Sequence, residues 1–424
     1  MGSILEINEL EFKQPDALSL VKQRTQVKQA FEFEDIENLK GSEVMRCSWS
    51  TGESMIDVTK SYLSFIIQVN GTETTDYWSF GKGSGMNIFR EIVVRSNSGV
   101  ELCRLQEPSL WSSICFKNST NISQKKSIGS LMGFETQTSS VSPQYRDPYF
   151  QSDGLTLNKY KIVIPLKYLS PLFKNIEEQR YLPSQLCEGL YFEFHMNNKE
   201  RTLYVPQNPE NVSSVDITKF EFVLDACIMN DQTQKEINNK SNSQGLQWVC
   251  KGNFNNRTSY SSGETHTNNQ VYYSASNVER AYSVFIASEE KLDNDNFYLY
   301  PLCNRFQYRS GAEYFPKEVL QDVSQQNISS TYFQNLLSFD KVGNDENQGS
   351  NLSLKEFTDG SVCYSCNLNN SDSLYLSGTI INNSKSLEFV GDYSETTPFD
   401  YHVFTFIDYV KVIDSQGRSV SVAN

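Results

Sequence analysis

The stretch Leu190-Tyr-Phe-Glu-Phe-His-Met196 alternates without a break. Leu190, Phe192, Phe194 and Met196 fall on one side of an extended chain and Tyr191, Glu193 and His195 on the other, the pattern of a strand with one face in a core. The same period recurs in Ser61-Tyr-Leu-Ser-Phe-Ile-Ile-Gln-Val69, where Leu63, Phe65, Ile67 and Val69 share a face opposite Ser64 and Gln68. Phe220, Phe222, Leu224, Ala226 and Ile228 repeat it opposite Lys219, Glu221 and Asp225, and Phe404, Phe406, Val410 and Val412 repeat it within a strand from His402 to Ile413. Half-buried strands of this kind belong to antiparallel sheets packed face to face.

Working outward, short apolar runs recur every ten to thirty residues from Glu43 onward, and the 23 Tyr and 26 Phe are set among Asn-, Ser- and Thr-rich connections. That is the composition of a mainly β, all-β protein. A chain of 424 residues is long for one β-sandwich and suits two. The polar stretch Asn230-Asp-Gln-Thr-Gln-Lys-Glu-Ile-Asn-Asn-Lys-Ser-Asn-Ser-Gln244 has almost nothing to bury and marks the boundary. Residues 1–30 carry Glu6, Glu9, Glu11 and Asp16, then Lys22, Arg24 and Lys28, with too few apolar positions for a core of their own. They read either as an arm that orders by docking on a neighbour or as a disordered tail. The expected organisation is thus an N-terminal arm over 1–30, a first sandwich over 31–231 and a second over 232–424. Long polar loops are expected over 118–157 and 342–360, and short helices over 108–115 and 331–337.

The 51 acidic residues against 37 basic ones give a net charge of -14, so direct binding to nucleic acid phosphates is not expected. No segment approaches the roughly 20 apolar residues that span a bilayer, and the N-terminus lacks a secretory signal. Nine scattered cysteines fit reduced thiols better than a disulfide framework. Asn-x-Ser/Thr triplets such as those at Asn70, Asn118, Asn121, Asn256, Asn327 and Asn382 follow from composition and predict no glycan without a signal.

Four features have the look of chemistry. Cys363-Tyr-Ser-Cys366 has the spacing of half a zinc site, but neither a second close Cys pair nor a His pair completes it. His195, His266 and His402 are far apart, and the Gly-x-Ser-x-Gly of a nucleophile elbow is missing. Gly81-Lys-Gly-Ser-Gly85 departs from phosphate-loop patterns and precedes a strand, not a helix, so it reads as a flexible turn. Carboxylate pairs for glycosidase chemistry are expected by chance in so acidic a chain. No catalytic, cofactor-binding or metal-binding residues are assigned, and no cofactor is expected.

Five stretches stand out when taken in order. They are Met55-Ile-Asp-Val-Thr-Lys-Ser-Tyr-Leu-Ser-Phe65, then the Gly-rich turn, strand and hairpin from Gly83 to Glu101, and then Ile164-Pro-Leu-Lys-Tyr-Leu-Ser-Pro-Leu-Phe173 followed by Leu182-Pro-Ser-Gln-Leu186 and the strand at Leu190. The fourth is Tyr308-Arg-Ser-Gly-Ala-Glu-Tyr-Phe-Pro316, and the fifth is the terminal strand with its turn Asp414-Ser-Gln-Gly-Arg418. Together they resemble the double jelly-roll major capsid proteins of polinton-like viruses, virophages and related eukaryotic DNA viruses. The resemblance implies two tandem jelly-roll β-sandwiches with short helices in loops. It also implies a homotrimer supplying six rolls to a pseudo-hexameric capsomer of an icosahedral shell around a DNA genome, in contact with neighbouring capsomers, penton and minor capsid or cement proteins. The location implied is the virion, after synthesis in the host cytoplasm. A rival reading is a tandem β-sandwich carbohydrate-binding or host-attachment protein, in which Tyr residues supply stacking surfaces. A β-sandwich glycosidase or lyase is a third.

Overall fold

The structure, a computed structural model, describes residues 20–414 except 72–76, 82, 97, 135–149, 152–158, 175–179, 188, 204–211, 245–246, 288–302, 322–327, 343–349, 359, 370–377 and 394–399, and also 419–420. Eight principal strands build the first half: β1 (Val21–Ala30), β2 (Val44–Ser48), β3 (Tyr62–Gly71), β4 (Phe89–Ser96), β5 (Glu101–Gln106), β6 (Lys159–Pro165), β7 (Leu190–Met196) and β8 (Val212–Met229). One sheet runs β1-β8-β3-β6 and the other β2-β7-β4-β5, with every pair antiparallel. The second half repeats this with β9 (Gln247–Tyr260), β10 (His266–Val271), β11 (Ala275–Ala287), β12 (Cys303–Ser310), β13 (Glu313–Gln321), β14 (Tyr364–Asn367), β15 (Leu387–Tyr393) and β16 (Tyr401–Asp414). Its sheets run β9-β16-β11-β14 and β10-β15-β12-β13. In both halves the strands pair as 1-8-3-6 and 2-7-4-5, the winding of an eight-stranded jelly roll.

Each core is aromatic. In the first roll Phe192 and Phe194 of β7 meet Phe220 and Phe222 of β8 across the sandwich, with ring centroids 4.9 to 6.0 Å apart for Phe192–Phe222, Phe194–Phe220 and Phe194–Phe222. The second roll buries Phe285, Phe306, Tyr364 and Phe389 in the same way. There the Tyr308 hydroxyl donates to the Tyr364 carbonyl at 2.7 Å, so its polar end is satisfied inside the core.

The two expected helices are present, and others lie where polar connections were expected. α1 (Pro108–Ser119) follows β5, and α2 (Asp231–Gln244) joins the rolls. α3 (Ser329–Ser338) follows β13, and a short α4 (Leu354–Thr358) comes next. The polar connector between the sandwiches is therefore helical, with Ile237 packed beside Met55, Cys227 and Met229. The Gly81 to Gly85 turn is buried, not loose: Ser84 caps the 3-10 turn Gly85–Ile88, and the Asn87 amide donates to the Phe80 and Thr202 carbonyls.

Three expectations are corrected. The proposed arm over 1–30 is a strand from Val21 to Ala30, paired along β8; residues 1–19 lie outside the described residues. Its basic side chains find acids on the same roll. Lys22 pairs with Asp231 at 3.3 Å, Lys28 with Glu221 at 2.9 Å, and Arg24 with Asp57 at 2.9 Å and Asp225 at 2.7 Å. Ile228 lies on the side of Phe220, Phe222 and Leu224 but is exposed there and not part of the core, while Cys227 and Met229 are buried on the opposite face. β16 is not half-buried: Val403, Thr405 and Ile407 are buried on one face and Phe404, Phe406 and Asp408 on the other. On the second face Phe406 stacks on Tyr282 at 5.2 Å, and Tyr282 lies against Phe339 just after α3.

Asp57 has no exposed side-chain surface and receives Arg24 and Arg180 together. Burial opposes its ionisation, but hydrogen bonds from Arg180, Thr59 and Arg24 outweigh this and hold its carboxyl at about 2. A carboxyl held below its ordinary value near 3.8 contributes stability that is complete above that value and is lost as pH falls through about 2. The amides of β1 should therefore keep their hydrogen-exchange protection down to about pH 4 and lose it progressively below. Asp57→Asn should lose protection of β1 at pH 7 and show little further dependence in that window. Equal acid profiles for the two proteins would refute the assignment.

Candidate functional site

The rolls do not touch edge to edge through loops alone. One contiguous core runs through both. At the junction, β5, α1 and the turn Pro171–Phe173 of the first roll lie against the second, and the links between them are side chains of buried or half-buried residues. Trp248 Nε1 donates to the Leu172 carbonyl at 3.2 Å, Asn255 Nδ2 to the Gln106 carbonyl at 2.9 Å, and Asn335 Nδ2 to Asn118 Oδ1 at 2.5 Å. Asn351 Nδ2 donates to the Phe116 carbonyl at 3.1 Å and to Thr120 Oγ1 at 2.5 Å, and Lys125 pairs with Glu356 at 2.8 Å. Buried amides that satisfy one another across an interface fix its geometry, because any slip leaves them unpaired.

Behind this junction lies a buried ion pair. Arg280 on β11 meets Asp408 on β16 at 3.2 Å, donates to the Ser338 carbonyl at 3.1 Å, and stands 4.9 Å from the Phe339 ring centroid. Asp408 Oδ1 accepts from Asn253 Nδ2 at 2.8 Å and from the Tyr282 hydroxyl at 3.3 Å. Sequence reasoning missed this pair. Its signal was present: a single Arg in the apolar run from Val278 to Ile286 and a single Asp in the one from Val403 to Val412.

The residues inspected for chemistry are not brought together. His195 lies 3.8 Å from Glu91, and His266 Nδ1 donates to Asp392 at 2.5 Å, a carboxylate that Arg305 also holds. His402 Nδ1 lies 2.9 Å from Ser259 Oγ, but its Nε2 faces Arg257 at 2.8 Å. Burial and that guanidinium keep the ring below its usual range, so it is neutral at pH 7. A Ser–His pair with a fixed cation on the other nitrogen has no carboxylate orienter of the triad kind. Cys363 and Cys366 are buried, and burial pushes both thiols up, away from the thiolate that binds metal or attacks. Asp57, Asp225 and Cys227 converge within 4.8 Å, but Arg24 bridges the two carboxylates and supplies the positive charge a metal would bring.

A cleft of about 430 Å³ opens at the seam, between β5 of the first roll and β9, β11 and β16 of the second.

No protein-family model matches the chain, and no curated protein sequence does. Solved structures do. The chain superposes on the Faustovirus major capsid protein with a TM-score of 0.63 at 7% identity, over 98% of this chain and 94% of that one. The PBCV-1 capsid protein VP54, fitted into a reconstruction of the virophage Sputnik, aligns with a TM-score of 0.60 at 9% identity, over 97% of this chain and 100% of that one. The mavirus major capsid protein aligns with a TM-score of 0.51 at 12% identity, over 96% and 91%. The chain thus has the double jelly-roll fold found in viral major capsid proteins, and it spans nearly their whole length.

Proposed function

We propose that the protein is the major capsid protein of an icosahedral DNA virus or virus-like element, acting as a structural subunit and not as an enzyme. The observation that carries this reading is the repeat of one strand order in two rolls locked through a common buried core, matched end to end by capsid proteins. Two similar wedges per chain become six when three chains meet around an axis, which gives a nearly hexagonal tile from a single gene product. In this reading 31–231 and 232–424 are the wedges, with Val21–Ala30 belonging to the first. The partners are two further copies, then neighbouring capsomers and penton, minor capsid or cement proteins; the location is the virion, after synthesis in the host cytoplasm.

α3 offers the surface for contacts between copies. Thr331, Asn335 and Ser338 are buried, whereas Phe333 and Leu337, one turn apart on the outer side, are 52% and 38% exposed. Large apolar side chains left outward on a rigid helix mark an interaction face. Negative-stain images of the purified protein should show flat hexagonal particles, and light scattering should give three chains. Phe333→Asp combined with Leu337→Asp should weaken assembly on the order of 100-fold while leaving the melting temperature nearly unchanged. Monomers alone from the wild-type chain at high concentration would refute the function, and unaltered assembly of the double variant would refute this face.

A further inference from the structure

Three lysines from separate segments border the C-terminal half of α1, where the rolls meet. Lys167 stands on the short helical turn Leu166–Leu169, and the Tyr168 ring beside it packs on Phe116 of α1 with centroids 5.3 Å apart. Lys174 closes the next turn, Pro171–Phe173, and its Nζ donates to Cys115 Sγ on α1 at 3.5 Å. Lys341 arrives from the second roll: it follows α3, whose Asn335 is bonded to Asn118 of α1. The three charges feel one another. Partial desolvation and then the Lys174 and Lys341 ammonium groups hold Lys167 below its ordinary value, and desolvation and then Lys174 do the same to Lys341.

The other cations of the junction have acids of their own: Arg280 meets Asp408 at 3.2 Å, and Lys251 meets Glu279 at 2.7 Å. Lys167, Lys174 and Lys341 have no carboxylate in ion-pair contact among the described residues, and Asp340, the one acid that bears on Lys341, is exposed. In a chain of net charge -14, three cations gathered without acids are a surplus that the fold itself does not use. Their mutual repulsion is relieved by an acidic partner.

The chain carries the complement. Residues 1–19, which lie outside the described residues, hold Glu6, Glu9, Glu11 and Asp16 against Lys13. The described chain begins at Leu20, whose carbonyl accepts from the Asn230 N–H at 3.0 Å. Lys28, Val223, Tyr62 and Pro165 form one row across the first roll's sheet. From that row β1 runs back to Val21 beside Met229, and the chain beyond Pro165 heads the same way: the Leu166 N–H donates to the Ser61 carbonyl, and Ser61 Oγ accepts from the Asp225 N–H. Leu20 and Lys167 therefore lie at one end of the roll, roughly 25–30 Å apart at the usual strand rise and spacing. An extended chain from Leu20 reaches up to about 30 Å at Glu11 and up to about 45 Å at Glu6. We propose that residues 1–19 dock their acidic run, Glu6 to Glu11, on Lys167, Lys174 and Lys341 of the same chain and so strap the first roll to the second. Weak surface pairs suffice here, because a tethered segment is present at a high effective concentration. Neither the cluster nor the reach depends on the chain building shells.

The test is carbodiimide coupling of carboxylates to lysines in the full chain, prepared as an equal mixture of 15N-labelled and unlabelled protein and read by peptide mass spectrometry. Lys28 and Glu221, paired at 2.9 Å, are the internal control. Peptides joining Glu6, Glu9 or Glu11 to Lys167, Lys174 or Lys341 should form with both halves light or both heavy, and should fall about tenfold at about 0.5 M salt. A second readout is the rate at which trypsin cuts after Lys13. It should rise about tenfold in Glu6→Gln/Glu9→Gln/Glu11→Gln, which leaves both rolls untouched, and in Lys167→Gln/Lys174→Gln/Lys341→Gln. Lys40→Gln, at an exposed lysine elsewhere, should leave it unchanged. The proposal is overturned if the control couples and these peptides do not form, or if the three lysines couple only to Glu177 or Glu178. It is also overturned if the peptides are mixed light and heavy, which would make a neighbouring copy the source of the segment, or if the tryptic rate is indifferent to both triple variants.

Discussion

Phe192→Ala is expected to destabilise the protein by about 3 to 5 kcal/mol, enough to take a typical domain to the edge of unfolding. Phe192 is fully buried, and its ring is surrounded: Trp49 at 4.7 Å, Phe222 at 4.9 Å and Phe173 at 6.2 Å. It sits at the centre of a ladder, opposite Cys47 on β2 and Val94 on β4, so the backbone on both sides is pinned. The cavity cannot close by collapse, and the cost then carries a cavity contribution beyond the lost transfer energy. Because the core is continuous from one roll to the other, the loss should appear as a lower midpoint for the whole molecule in guanidinium unfolding. Tyr191→Ala, one residue away on the outer face of the same strand, should cost clearly less. Equal losses from the two faces would mean that the alternation in Leu190 to Met196 has been assigned to the wrong side.

That alternation is the part of the fold the sequence states most openly. Leu63 to Val69 and Leu190 to Met196 each carry one apolar face because each strand has the roll interior on one side and less covered surface on the other. β1 was illegible for the opposite reason. It is an edge strand, exposed over most of its length, and Lys22, Arg24 and Lys28 are held by acids more than thirty residues away, which no local window contains. Ile228 continued the apolar face of Phe220 and Leu224, but Cys227 and Met229 took the cover supplied by Met55. In β16 the apolar pattern was read as one face because only the sandwich interior was anticipated; the second cover comes from Tyr282 and the segment after α3. The Gly81 to Gly85 turn looked loose for lack of side chains, yet the space is filled by Asn87 and by Ile162, whose side chain would lie 2.5 Å from a Cβ at position 85. The junction was hidden in composition. Asn118 and Asn351 look like ordinary members of polar loops and Asn335 like any polar residue of a short helix, and only their long-range pairing makes them interface residues.

The Arg280–Asp408 pair gives the second large effect and a signature that distinguishes charge from packing. Arg280→Met leaves a carboxylate in a site where Asp408 is 2% exposed, and Asp408→Asn leaves a guanidinium where Arg280 is 5% exposed; each should cost about 3 to 5 kcal/mol. The combined variant Arg280→Met/Asp408→Asn removes both charges but keeps an amide oxygen for the Asn253 and Tyr282 donors, so it should recover at least half of the loss and be strongly non-additive. Urea unfolding of the four proteins decides it. Additive losses would mean that packing against Phe339 and Ser338, and not the pairing of buried charges, holds α3 onto the second roll.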